Sequence, residues 1–267
     1  MGHESAKVSK NGTPLLEKVK RYARDTKRDL NTTLTYVKLA LEGNKVERLT
    51  DFSRCDHPVL LLYGFGATRR VFSILERRLR KDGFGVFSFN LGGIFDTFNT
   101  RCIEEMAQLV NEKVERLCQR YDLKKISIIG HSKGGLIGRY YIKRLGGSQR
   151  VRTLITLGTP HGGNPWALVG LFSPLSLFSK SLWQMYPMSP FIRNLQRGAW
   201  PKHVRFVSIY SKEDRVCFYK SSILDIPEGA THMKNVLVPG LSHSDYLIRK
   251  NAYSIIKKEL QTAEKNG

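Results

Sequence analysis

The sequence predicts an α/β fold, with helices covering both faces of a mostly parallel sheet. Three observations carry that reading. Short apolar runs alternate with helical stretches from residue 59 onward. One run, 124–129, leads into a glycine-rich turn and then a helical pattern closed by Gly146-Gly147. The chain has 267 residues, 41% hydrophobic and 25% charged, which suits one such domain with a sizeable core and room for a small appendage.

Taken in order, residues 1–13 are polar. From 15 to 41, Leu15, Val19, Tyr22, Leu30, Leu34, Val37 and Leu41 recur near helical spacing among many basic residues. This predicts one or two basic amphipathic helices that dock on the domain or, alternatively, touch a membrane surface. Strands are expected at 59–63, 85–90, 126–129, 151–157, 204–210 and 235–238. Helices are expected at 69–81, 100–121, 136–145 and 244–260. The expected division is a helical segment over 1–50 and a main domain over 51–267, the latter carrying a cap or lid insertion at about 162–200. Within 162–192 only Lys180 is charged, and Pro165, Pro174, Pro187 and Pro190 forbid one long spanning helix.

Charge is the outlier in the composition. Forty-four Lys and Arg against 23 Asp and Glu give a formal net charge of +21, most of it outside the first fifty residues. Such a field favours an anionic membrane surface, and no nucleic-acid module accompanies it. Contact with anionic lipid is therefore expected through 162–192, with Trp166, Phe172, Phe178, Trp183 and Phe191 as its large apolar groups. Cys55, Cys102, Cys118 and Cys217 show neither C-x-x-C pairing nor metal spacing, and a reducing compartment is the simpler reading. No secretory signal or spanning segment is visible, so a cytoplasmic or peripheral-membrane protein is expected. Ala6 argues against myristoylation at Gly2.

The chemistry centres on Gly130-His131-Ser132-Lys133-Gly134-Gly135, a G-x-S-x-G pattern between strand and helix. A turn of this kind lifts a serine hydroxyl off the sheet and aims the Lys133 N–H at a developing oxyanion. The serine needs a base and an orienting acid, following it in chain order. His243, between the last strand and last helix, is the base. His131 is expected to point away from the nucleophile, and His161 to shape its own loop. Asp214 is the acid, with Glu213 its nearest rival and Asp245 a local helix cap. The second oxyanion donor is the backbone N–H of Phe65 in Tyr63-Gly64-Phe65-Gly66.

Gly130 to Leu136 with Arg139-Tyr140-Tyr141 resembles the G-H-S-x-G-G-L-x-x-R-Y run of bacterial lipases, and Gly158-Thr159-Pro160-His161-Gly162-Gly163 is similar to their G-T-P-H-x-G segment. The resemblance covers roughly residues 59–243. It implies an α/β-hydrolase fold, carboxylic-ester hydrolysis without a cofactor or metal, and a lid above an acyl pocket. Many relatives carry His-Gly before the oxyanion residue, where this chain has Tyr63-Gly64. An acyltransferase or thioesterase with the same three residues, or a silent lipid-binding homologue, is the alternative.

Overall fold

A computed structural model describes residues 14–44, 50–52, 55, 57–92, 98–167 and 179–265, with side chains from residue 24 onward. Among the described residues six strands form one parallel sheet: β1 (Pro58–Leu62), β2 (Gly85–Ser88), β3 (Ile126–His131), β4 (Val151–Leu157), β5 (Arg205–Tyr210) and β6 (Met233–Leu237). Their spatial order is β2-β1-β3-β4-β5-β6. β1 and β3 are buried along their whole length, which is why β1 reads as an unbroken apolar run and β3 as a mostly apolar one, rather than as alternating strands. β6 lies at an edge and is only half covered. Its apolar signal is correspondingly weak, and the predicted span misses its first two residues.

Among the described residues the helices are α1 (Pro14–Leu41), α2 (Ser73–Lys81), α3 (Ile103–Tyr121), α4 (Lys133–Arg144), α5 (Lys180–Met185), α6 (Pro190–Gln196), α7 (Tyr219–Ser222), α8 (Asp245–Ile248) and α9 (Lys250–Lys265). Two of the expected helices are divided. Residues 69–81 divide into a 3-10 turn, Arg69–Phe72, and α2. The last helix is two, α8 and α9, because Arg249 between them is extended and its guanidinium donates to the Gly240 carbonyl at 2.7 Å. The amphipathic N-terminal stretch is one helix, not two. Among the described residues Cys102, Cys118 and Cys217 form no disulfide.

The chain steps outward from β1 to β2, then returns past β1 to β3. The carboxyl ends of β1 and β3 therefore flank the point where strand order reverses, the usual place for a ligand crevice in an open parallel sheet. α1 rests against the 69–72 turn and α8. The Thr68 hydroxyl donates to Ala40 O at 3.0 Å, and Arg70 pairs with Glu42 at 2.7 Å.

Of the apolar insertion, 162–167 and 179–192 are described, while Phe172, Pro174 and Phe178 lie outside the described residues. Leu182, Met185, Phe191 and Ile192 are buried, whereas Trp166 and Trp183 are exposed. Ser189 caps α6 by accepting from Ile192 N at 3.1 Å, with Pro190 in the first turn where no N–H is required. The insertion is pinned to the start of α3. Cys102 offers that helix no side-chain cap, and Gln184 Oε1 accepts from Ile103 N at 2.7 Å in its place. Among the described residues, no helix is long and apolar enough to cross a membrane.

Candidate active site

Ser132 follows β3 directly and precedes α4, with φ 54° and ψ −127°. A non-glycine residue in that conformation costs about 1–3 kcal/mol and persists only when its surroundings enforce it. Here they do. Ser132 N donates to Leu157 O at 3.0 Å, and Ser132 O accepts from Gly135 N and from the Thr159 hydroxyl, both at 3.0 Å. The glycines permit the crowding. A Cβ at Gly134 would lie 1.9 Å from Leu62 O, and one at Gly64 would lie 2.9 Å from Ser132 Cβ.

Asp214 and His243 meet as the chain order suggests. Asp214 Oδ2 accepts from His243 Nδ1 at 2.8 Å, which leaves Nε2 without that proton. Asp214 Oδ1 accepts from Val216 N at 2.9 Å and Cys217 N at 2.8 Å, so the carboxylate is held at both oxygens. Glu213 turns elsewhere, accepting from the Ser211 hydroxyl at 2.7 Å and Gly240 N at 2.9 Å. Asp245 is not the helix cap expected of it: it is the first residue of α8, whose N-cap is Ser244, and its carboxylate accepts from Ser242 N of the preceding loop at 2.8 Å. Ser132 and His243 face one cavity of about 780 Å³. Among the described residues no hydrogen bond joins them, and the Ser132 hydroxyl lies within reach of the buried Cys217 thiol, whose pKa burial raises. Contacts of this kind commonly tighten only when substrate is bound.

Phe65 borders the same cavity, on the loop after β1. That loop is braced in a way the sequence did not disclose. Asn99 Nδ2 donates to Tyr63 O at 2.9 Å, Gly66 N donates to Asn99 O at 3.1 Å, and Asn99 N donates to Ala67 O at 3.1 Å. The Lys133 side chain is fully buried and donates to Asn99 Oδ1 at 2.9 Å, Arg101 O at 2.6 Å and Asn99 O at 3.4 Å. Its ammonium sits 5.7 Å from the Phe65 ring centre. Burial pushes its pKa down to about 7. Lys133 thus offers its N–H at the start of α4 while its side chain secures the loop that carries Phe65. Tyr63, in place of the relatives' histidine, accepts from Leu91 N through its hydroxyl at 2.7 Å.

His131 is found against the ring of His243, with centres 4.6 Å apart, and its Nε2 donates to His243 O at 2.9 Å. Burial foremost, then the nearby His243, pushes its pKa to about 3, so it is a neutral support. Tyr36 of α1 packs on the other side of His131, with ring centres 5.9 Å apart. His161 is buried and shapes its loop as expected, with Nε2 3.1 Å from the Thr156 hydroxyl.

The cavity wall holds a further surprise. Besides Pro160, Trp166, Leu182, Met185 and Val216, it includes Thr26, Leu30, Thr33, Tyr36 and Val37 of α1. The 3- and 4-residue spacing was legible as a helix face, but nothing local in the sequence says what a face packs beside.

The fold is that of the α/β-hydrolases. A family model described as alpha/beta hydrolase fold matches residues 57–183. A triacylglycerol lipase of Pseudarthrobacter phenanthrenivorans is 29% identical over 119 residues, which are 42% of this chain and 35% of that protein. A triacylglycerol lipase of Burkholderia plantarii is also 29% identical over 119 residues, 42% of this chain and 31% of its own. The matched stretch thus spans about a third of those relatives' length. Among solved structures, Aspergillus fumigatus lipase B superposes with a TM-score of 0.66 at 17% identity, over 82% of this chain and 56% of that one. Bacillus licheniformis lipase BlEst2 in its mature form gives 0.62 at 14% identity, over 82% and 96%.

Proposed function

We propose that this chain hydrolyses carboxylic esters with an apolar acyl group through a serine acyl-enzyme. The observation that carries the reading is the Asp214–His243 hydrogen bond opening onto the cavity that holds the strained Ser132. In the proposed reaction His243 Nε2 takes the Ser132 hydroxyl proton as the oxygen attacks the ester carbonyl. The carbonyl electrons move onto its oxygen, which the N–H groups of Phe65 and Lys133 receive, each worth about 3 kcal/mol. Collapse breaks the ester bond, and His243 hands its proton to the departing alcohol. Water, deprotonated by His243, then attacks the acyl-enzyme and releases the carboxylic acid and Ser132. Asp214 holds the imidazole tautomer and offsets the imidazolium charge. No step calls on a cofactor or metal.

The cavity supports a substrate with an extended apolar part. Its volume is of the size that encloses small-molecule ligands, and Leu30, Val37, Trp166, Leu182, Met185 and Val216 are among its walls. In this reading residues 162–167 and 179–192 act as a partial cap, with Asn164, Trp166, Ala167, Leu182 and Met185 bordering the cavity. The test is a chain-length series of p-nitrophenyl esters run beside Ser132→Ala. The expected result is turnover that favours medium or longer acyl groups and is abolished in the variant. Turnover retained in Ser132→Ala would remove the serine assignment, and transfer to an added alcohol in preference to water would make the chain an acyltransferase.

A further inference from the structure

α1 is docked on its polar side. On the side toward the domain Ala40 is buried, and Asp25, Arg28, Asp29, Thr32, Tyr36 and Leu39 are half-buried. At 3.6 residues per turn these centre about 150° around the helix from Leu30, Leu34, Val37 and Leu41, which lie within an arc of about 60°. That apolar stripe faces outward. Leu30 is 58% exposed, Leu34 59%, Val37 47% and Leu41 71%. An amphipathic helix ordinarily turns its apolar stripe inward, so the inverted setting leaves a surface that calls for a partner.

Two features of the surroundings identify the partner's chemistry. The stripe runs along the cavity mouth: Leu30 and Val37 belong to both, and exposed Trp166 and Val216 border the mouth from other elements. Phe218 extends this apolar rim, its ring centre 6.1 Å from that of Trp166. On the flank away from the cavity the stripe is edged by exposed Lys27 and Lys38, about 60–80° from Leu30. The acids nearby are each paired: Glu42, beside Leu41 and Lys38, with Arg70 at 2.7 Å, and Asp25 and Asp29 with Arg28 at 2.7 and 3.2 Å. An apolar strip edged by lysines is the arrangement by which a helix lies in the plane of an anionic lipid surface. A second copy of the chain fits less well, because each would bring a net charge of +21.

We infer that the outward stripe of α1 seats the protein on an anionic lipid surface with the cavity mouth against the acyl layer. The inference rests on the ester-hydrolase reading only for what enters the cavity; the docking itself needs no catalysis. It places the lipid contact on α1, the alternative that the amphipathic pattern offered, and on the mouth rim, rather than on 162–192 as a whole. Within that insertion Trp166 borders the cavity, whereas Trp183 lies in a separate groove beside Tyr140 and Phe191.

The experiment is co-sedimentation of Ser132→Ala protein with vesicles of phosphatidylcholine alone or of equimolar phosphatidylcholine and phosphatidylglycerol, across salt. Leu34→Glu/Leu41→Glu and Lys27→Gln/Lys38→Gln are made in the same background; none of these four side chains borders the cavity. The expected result is binding to the anionic vesicles that weakens with salt, loss on the order of a hundredfold in the leucine pair, and about fivefold per lysine with a flatter salt response. In the Ser132-containing protein the leucine pair should cleave a soluble short-chain ester at the parent rate, which also confirms its folding. Equal binding to both vesicles, or a leucine pair that binds like its parent, would overturn the inference. So would a dimer in sedimentation velocity that the leucine pair dissolves, since the stripe would then belong to a second copy. Vesicle binding that persists while no ester is turned over would leave the docking in place and remove the hydrolase reading.

Discussion

Ser132, Asp214 and His243 were legible because each sits where strand, turn and chain order demand it. Their supports were not. Asn99 reaches the loop that carries Phe65 from a neighbouring loop, and no sequence spacing reports that 36-residue hydrogen bond to Tyr63. The Lys133 side chain could have been taken for a solvated cation, yet it is fully buried. Ser132→Ala should abolish ester turnover, and His243→Ala should cost nearly as much because such residues act as a unit. Asp214→Asn should lower kcat about 10⁴-fold, whereas Glu213→Gln should be mild; steady-state kinetics with a soluble ester checks all four. Lys133→Met keeps the N–H at the start of α4 but removes the brace. It should lower kcat more than it changes KM, and Asn99→Leu should do the same. Lys133 also makes a prediction in pH. Its folded pKa of about 7 lies below the ordinary lysine value, so the unfolded chain binds more protons between them. The stability of the parent relative to Lys133→Met should therefore rise from pH 7 toward pH 10. Melting curves of both proteins that stay parallel across that range would show that the lysine is not buried as described.

Among the elements, the inner strands were the most readable, because burial on both faces leaves mostly apolar residues. The break between α8 and α9 was not, since no proline or glycine marks Arg249 and only the distant Gly240 carbonyl accounts for its placement. α1 illustrates a different limit. Periodicity found the helix and its apolar face, but tertiary packing chose the opposite face for docking. Because α1 supplies Leu30, Thr33 and Val37 to the cavity wall, enlarging one of them should shorten the acyl chain accepted. Val37→Trp is expected to lower kcat/KM for long-chain esters several-fold more than for the acetyl ester, a shift that the p-nitrophenyl series reads directly. An unchanged chain-length profile would place the acyl group elsewhere.

Across the whole molecule, the parallel sheet creates a crevice at the ends of β1 and β3, and the loops from those two strands meet there. The charge of +21 acts at longer range, screened over roughly 8–10 Å in physiological salt. Catalysis and surface attachment should therefore respond differently to salt: turnover of a soluble ester should stay flat while turnover of an anionic emulsion declines. Underneath both stands the claim that Ser132 is a nucleophile activated by His243. A fluorophosphonate probe followed by peptide mass mapping tests it most directly. The expected result is one adduct on the peptide containing Ser132, formed rapidly in the parent and strongly slowed in His243→Ala. An unlabelled protein, an adduct on another residue, or a labelling rate indifferent to His243 would contradict it.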